Sequence, residues 1–91
     1  MNNPHDSDYA VVGNCPLCGQ GRLFIAREAR SQDLFIYCEE CECEWSSPIN
    51  ARSLELATHG KYSSSSLVRI SELRGHEWHA QIMNVPSKNQ E

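Results

Sequence analysis

The residues best placed to do chemistry are the five cysteines, Cys15, Cys18, Cys38, Cys41 and Cys43. They stand in two turns, Cys15-Pro16-Leu17-Cys18-Gly19 and Cys38-Glu39-Glu40-Cys41-Glu42-Cys43, with nineteen residues between Cys18 and Cys38. Two C-x2-C pairs at this separation fit a four-thiolate metal site with Cys15, Cys18, Cys38 and Cys41 as ligands. A tight turn lets both thiolates of a pair face one ion. Pro16 presets the first turn, and Gly19 can take the positive φ needed where backbone amides curl toward sulfur. The second pair then completes a tetrahedron from another turn.

Other uses of the thiols fit less well. A disulfide framework prefers an even cysteine count and an oxidising compartment, whereas the count here is five and the stretch Met1 to Asp8 shows no signal-peptide pattern. A redox dithiol uses one C-x-x-C between a strand and a helix, not two facing pairs. Iron takes the same four thiolates as zinc. One structural Zn2+ is the expected cofactor. Cys43 is expected as a small buried thiol on the strand leaving the second turn; the alternative is exchange with Cys41 as ligand, or a reactive free thiol. His5, His59, His76 and His79 are not needed by a filled site. His76 and His79 are spaced for a second metal, but a polar face beside a buried Trp78 explains them more simply.

A filled four-cysteine site has no open position for substrate or water. The chain has no Gly-x-Ser-x-Gly motif and no Gly-rich phosphate loop. It is expected not to be an enzyme.

The elements that must position the thiols belong to one small domain. A chain of 91 residues has a marginal core unless a metal, disulfides or a partner staple it. Hydrophobic residues at 40 % and charged residues at 22 % suit a globular fold. The longest apolar run, Leu34-Phe35-Ile36-Tyr37-Cys38, is far short of the roughly 18 residues of a membrane span. The polar stretch Met1 to Asp8 lacks a signal-peptide pattern, so a cytoplasmic location is expected. Eight basic against twelve acidic residues give −4, and four thiolates with one Zn2+ bring this to about −6. Such a balance disfavours sequence-tolerant nucleic-acid binding, which draws on a basic face.

Period-two alternation predicts a strand over Arg22 to Ala29, with Leu23 and Ile25 on one face and Phe24 and Ala26 on the other. Arg30-Ser31-Gln32-Asp33 is a polar turn, Asp33 to Cys38 a second strand, and Cys43 to Ser46 a third carrying Trp45. Tyr9 to Val12 adds a short edge strand after the arm Met1 to Asp8. Beyond Pro48, loosely helical spacing predicts helices over Asn50 to His59 and about Leu67 to Arg74, where Leu67, Ile70 and Leu73 recur every three residues. Trp78, Ile82 and Met83 suggest a short terminal helix. The serine-rich stretch Lys61 to Ser66 reads as a flexible connection, and Pro86 to Glu91 as a tail. The fold class is therefore α+β: a ribbon of three short antiparallel strands followed by a helical segment. The organisation is an arm or edge strand over 1–12, the ribbon over 13–48, the helical segment over 49–83 and a tail over 84–91.

The stretch Cys15 to Pro48, a little over a third of the chain, resembles a zinc ribbon, with its two cysteine turns as the knuckles. Glu42 stands where many ribbons have Gly. Ribbons serve transcription, translation, ligand capture and assembly, so the resemblance implies the metal rather than a function. The run Cys41-Glu42-Cys43-Glu44-Trp45-Ser46-Ser47-Pro48, followed by a short α segment, also resembles small bacterial cysteine-rich immunity proteins of polymorphic toxin systems.

Glu39, Glu40, Glu42 and Glu44 cluster around the second turn, and with Trp45 and Tyr37 they suggest an acidic and aromatic docking surface for a basic partner. The expected function is a zinc-binding protein-interaction module. Its sharpest form is a cytosolic immunity protein that neutralises a basic toxin domain. The alternative is nucleic-acid binding through Arg22, Arg27, Arg30 and Phe35, with Arg52 adding to a local patch. A third reading is electron transfer or redox sensing through iron or Cys43.

Overall fold

A computed structural model describes residues 8–85. Five strands form one sheet: β1 (Val11–Asn14), β2 (Arg22–Glu28), β3 (Leu34–Cys38), β4 (Glu44–Trp45) and β5 (Ser65–Leu67). All pairings are antiparallel. β2 is the axis. One edge of it pairs with β3 from Leu23 opposite Cys38 to Arg27 opposite Leu34. Its other edge is shared, with β1 along Arg22 to Phe24 and β5 along Ala26 to Glu28. β4 continues the sheet beyond β3, placing Trp45 opposite Ile36 and Glu44 opposite Tyr37.

The alternation read in β2 sets the two faces, because paired residues point the same way. Leu23, Ile25, Ile36, Cys38 and Trp45 face one core, which Ala10, Cys15, Ala51, Val68, Leu73 and Ile82 complete. Phe24, Ala26, Phe35, Tyr37 and Glu44 lie on the other face by the same register. Trp45 is fully buried, and its indole Nε1–H donates to the Ser53 carbonyl at 2.8 Å.

The helices expected beyond Pro48 are absent among the described residues, so the α+β assignment is corrected to a mostly β fold. Asn50–Arg52, Leu54–Leu56, Ile70–Leu73 and Glu77–Gln81 are single short 3-10 turns. Two causes are visible. Ser53 and Ala57 are extended and interrupt the first stretch, leaving Leu54 and Leu56 about half exposed. The three-residue recurrence of Leu67, Ile70 and Leu73 spans two elements, since Leu67 ends β5 and only Ile70–Leu73 is a 3-10 turn, and a run this short does not nucleate an α-helix.

The serine-rich stretch is a second correction. Instead of a loose connection it leads into β5, where Ser65 and Ser66 pair with Glu28 and Arg27. The Ser63 amide and hydroxyl donate to the Glu28 carboxylate at 2.8 and 3.0 Å, and the Ala29 amide donates to the Ser64 carbonyl at 2.8 Å. Strand pairing needs only backbone, so exposed serines serve on an edge. The three strands expected in the ribbon are present within a residue or two of their expected ends. The edge strand expected over Tyr9 to Val12 begins later, at Val11, with Tyr9 in an isolated bridge to Arg69. The expected arm, apart from Asp8, and the tail from Pro86 lie outside the described residues.

Candidate metal centre

The two cysteine turns converge at the end of the β2–β3 hairpin. The sulfurs of Cys15, Cys18, Cys38 and Cys41 all lie within 4.8 Å of one another. Cys15 Sγ is 3.7 Å from Cys41 Sγ, and Cys18 Sγ is 3.7 Å from Cys38 Sγ. A tetrahedron with metal–sulfur distances of about 2.3 Å has edges of about 3.8 Å. The four cysteines are thus positioned to bind one metal ion. Cys15 and Cys38 are buried within the core, and Cys18 and Cys41 are half-buried.

The turns are built alike. The Leu17 and Cys18 amides point at Cys15 Sγ at 3.3 and 3.5 Å; the Glu40 and Cys41 amides point at Cys38 Sγ, both at 3.4 Å. The Gly19 amide donates to the Cys15 carbonyl, and the Glu42 amide to the Cys38 carbonyl, each at 3.0 Å. Gly19 has φ +73° and Glu42 has φ +64°. Glu42 therefore adopts the left-handed conformation that glycine provides in the first turn, at a cost of about 1 kcal/mol.

The amides of Gln20 and Gly21 pull the Cys18 thiol down to about 6. Burial pushes Cys38 up to about 12 and Cys41 up to about 11. A divalent cation reverses the balance for Cys38 and Cys41, since its charge favours thiolate over thiol. The donor set, all sulfur and tetrahedrally spaced, fits Zn2+ and also iron.

Cys43 stays outside this four-sulfur group, half-buried on the way to β4, and its amide lies beside the Cys41 thiol. Gly21, not singled out from the sequence, is also required. A Cβ there would lie 2.5 Å from Cys38 Sγ, so the first turn closes on the second only because position 21 has no side chain. An Arg22–Glu39 clamp joins the turns nearby: the guanidinium Nε and Nη2 donate to the two carboxylate oxygens at 2.8 and 3.1 Å. Arg22 holds the Glu39 carboxyl below its usual range.

The acidic and aromatic surface read around the second turn is not assembled as expected. Trp45 is core, and Glu44 is 5 % exposed. Its carboxylate accepts from Thr58 Oγ1 at 2.9 Å and from the Lys61 and Tyr62 amides at 3.0 and 3.5 Å. Glu40 and Glu42 remain exposed. A hint of Glu44's role was its place one residue before Trp45 on a strand, where alternation puts it on the sheet's second face. Two of the four arginines read for nucleic acid are engaged, Arg22 with Glu39 and Arg27 with Glu72, each at 2.8 Å, and Arg30 and Arg52 are exposed. Phe35 is buried under the Tyr62 ring. His76 accepts from the Trp78 amide through Nδ1, and neither His76 nor His79 joins a cluster of metal-binding side chains among the described residues. No described helix is long and apolar enough to cross a membrane.

Comparison with family models, with curated proteins and with solved structures returns no match.

Proposed function

We propose that Cys15, Cys18, Cys38 and Cys41 hold one structural Zn2+ and that the stapled sheet is a non-enzymatic module acting by binding a protein partner. The observation that carries the metal assignment is the four-sulfur cluster, with edges near those of a zinc–thiolate tetrahedron and turns whose amides point at the sulfurs. All four positions around the ion are taken by protein, which leaves a structural rather than a chemical role. The net charge of −4 and the exposed Glu40 and Glu42 favour a basic partner. In its specific form the module is a cytosolic immunity protein and the partner a toxin domain.

Native mass spectrometry with elemental analysis tests the metal: one zinc per chain is expected, lost in Cys41→Ser and kept in Cys43→Ser. A red protein would assign iron instead, and zinc retained in Cys41→Ser would make Cys43 the ligand. Affinity capture with the zinc-loaded chain from nuclease-treated lysate tests the partner. One stoichiometric toxin domain would establish the immunity role. Nucleic acid as the only retained component would overturn the protein-binding reading.

A further inference from the structure

The second face of the sheet ends in a hollow that the metal centre does not use. It is an open depression of about 450 Å³ lined in part by Phe35, Tyr37, Glu42, Glu44, His59 and Tyr62. Its floor is aromatic: Tyr62 stacks on buried Phe35 with ring centroids 3.9 Å apart and planes 1° from parallel. Its wall is acidic. The buried Glu44 carboxylate is fixed by Thr58 and by the Lys61 and Tyr62 amides. Among the described residues no Lys, Arg or His side chain forms an ion pair with it. These hydrogen bonds orient and stabilise the carboxylate but bring no positive charge to it, which leaves room for a partner of opposite sign. Glu42, exposed at the rim, adds a second negative charge, and aromatic faces attract cations through their quadrupoles. One cation already sits at the edge: the Lys61 ammonium lies 5.5 Å from the Tyr62 ring centroid. Burial first, and then the Glu44, Asp33 and Glu28 carboxylates, push the Tyr62 hydroxyl above its usual range.

We propose that this hollow is a binding site for a cationic side chain, the ammonium of a lysine or the guanidinium of an arginine, presented by a partner protein. Glu44 and Glu42 supply the charge, and Tyr37 and Tyr62 supply the aromatic surface. The proposal deepens the protein-binding reading and rests on it. Lys61 is a competitor, because its ammonium takes up the Tyr62 ring and repels an incoming cation.

The test is a ¹H–¹⁵N NMR titration of the zinc-loaded full chain. The probes are acetyl-Gly-Lys-Gly-amide, its Nε-acetyl form, the arginine counterpart and spermidine. The lysine and arginine peptides should shift the Glu44, Lys61 and Tyr62 amides saturably, and the uncharged Nε-acetyl peptide should not. Glu42→Gln should weaken binding about two- to fivefold, as expected for loss of one exposed charge pair. Lys61→Ala keeps the amide that holds Glu44 and should tighten binding. Equal shifts from charged and uncharged peptides, or no shifts at millimolar peptide, would overturn the proposal. Tighter binding of spermidine than of either peptide would also overturn it, by assigning the hollow to a free amine. A partner captured from lysate while no peptide shifts the hollow would refute this site and leave the protein-binding reading standing. Peptide binding with no captured partner would do the reverse.

Discussion

Removing the Glu44 carboxylate would strip an acceptor from three donors at once: Thr58 Oγ1 and the Lys61 and Tyr62 amides. Hydrogen bonds to a charged group contribute about 1.5–3 kcal/mol each, and unmade buried partners cost more than the bond is worth. Glu44→Ala should therefore lose at least about 2 kcal/mol in a urea melt of the zinc-loaded protein. Glu44→Gln, which keeps one carbonyl, should lose less. An Ala variant of unchanged midpoint would show that the 58–62 loop is held by something else. The same residue explains what the sequence hid. Cysteine pairs announce themselves because their chemistry is local: two residues between ligands is a property of one turn. Glu44 depends on register, since it is internal only because β4 lies against Tyr37 and because the chain returns at Thr58 to bridge it. Neither contact is encoded within a few residues of position 44. Glu42 shows the converse case, where the sequence departs from glycine and the backbone keeps the left-handed turn regardless.

At the scale of elements, β2 and β3 were legible because they are runs of seven and five residues that carry aromatic and branched side chains. The segment after Pro48 was not, because its elements are three to five residues long and carry no period of their own. Their form is dictated by what they cover. Ile25 shows this: its amide donates to the Ala10 carbonyl at 3.1 Å, and its carbonyl accepts from the Val68 amide at 2.9 Å. The Ala10 amide in turn donates to the Val68 carbonyl at 2.9 Å. Two segments distant in sequence thus close the free edge of β2 at one point. A chain ending at residue 60 would leave that edge open along Ala26 to Glu28 and would expose Ile25 and Trp45, which Val68, Leu73 and Ile82 help enclose. Exposed pairing edges associate. The truncated chain, even zinc-loaded, should give a poorly dispersed NMR spectrum or aggregate. A well-dispersed monomer would show that the ribbon folds by itself and that β5 only decorates it.

For the whole molecule the question is whether the metal centre is an attachment or part of the core. Cys15 and Cys38 belong to the same buried cluster as Leu23, Ile36 and Trp45, so the ion would stand at the end of the core rather than outside it. A domain of this size is stable by about 5–15 kcal/mol, whereas structural zinc contributes about 10–16 kcal/mol of apparent binding energy at neutral pH. Losing the ion removes more than the remaining interactions supply. It also leaves thiols packed sulfur to sulfur where thiolates were held by charge. Chelation should therefore unfold the domain. Trp45, fully buried and fixed to the Ser53 carbonyl, is the natural reporter: its emission should shift to the red as it meets water, in step with loss of the far-ultraviolet β signal. Acid should act in the same direction. Binding requires thiolates, so protons compete with the ion, and stability held by the metal falls as pH falls. Restoring zinc at neutral pH under reducing conditions should restore the blue emission. A metal-free chain that kept its buried tryptophan and its cooperative melt would place the stability in the sheet alone, and would make the four sulfurs a site the fold carries rather than one it depends on.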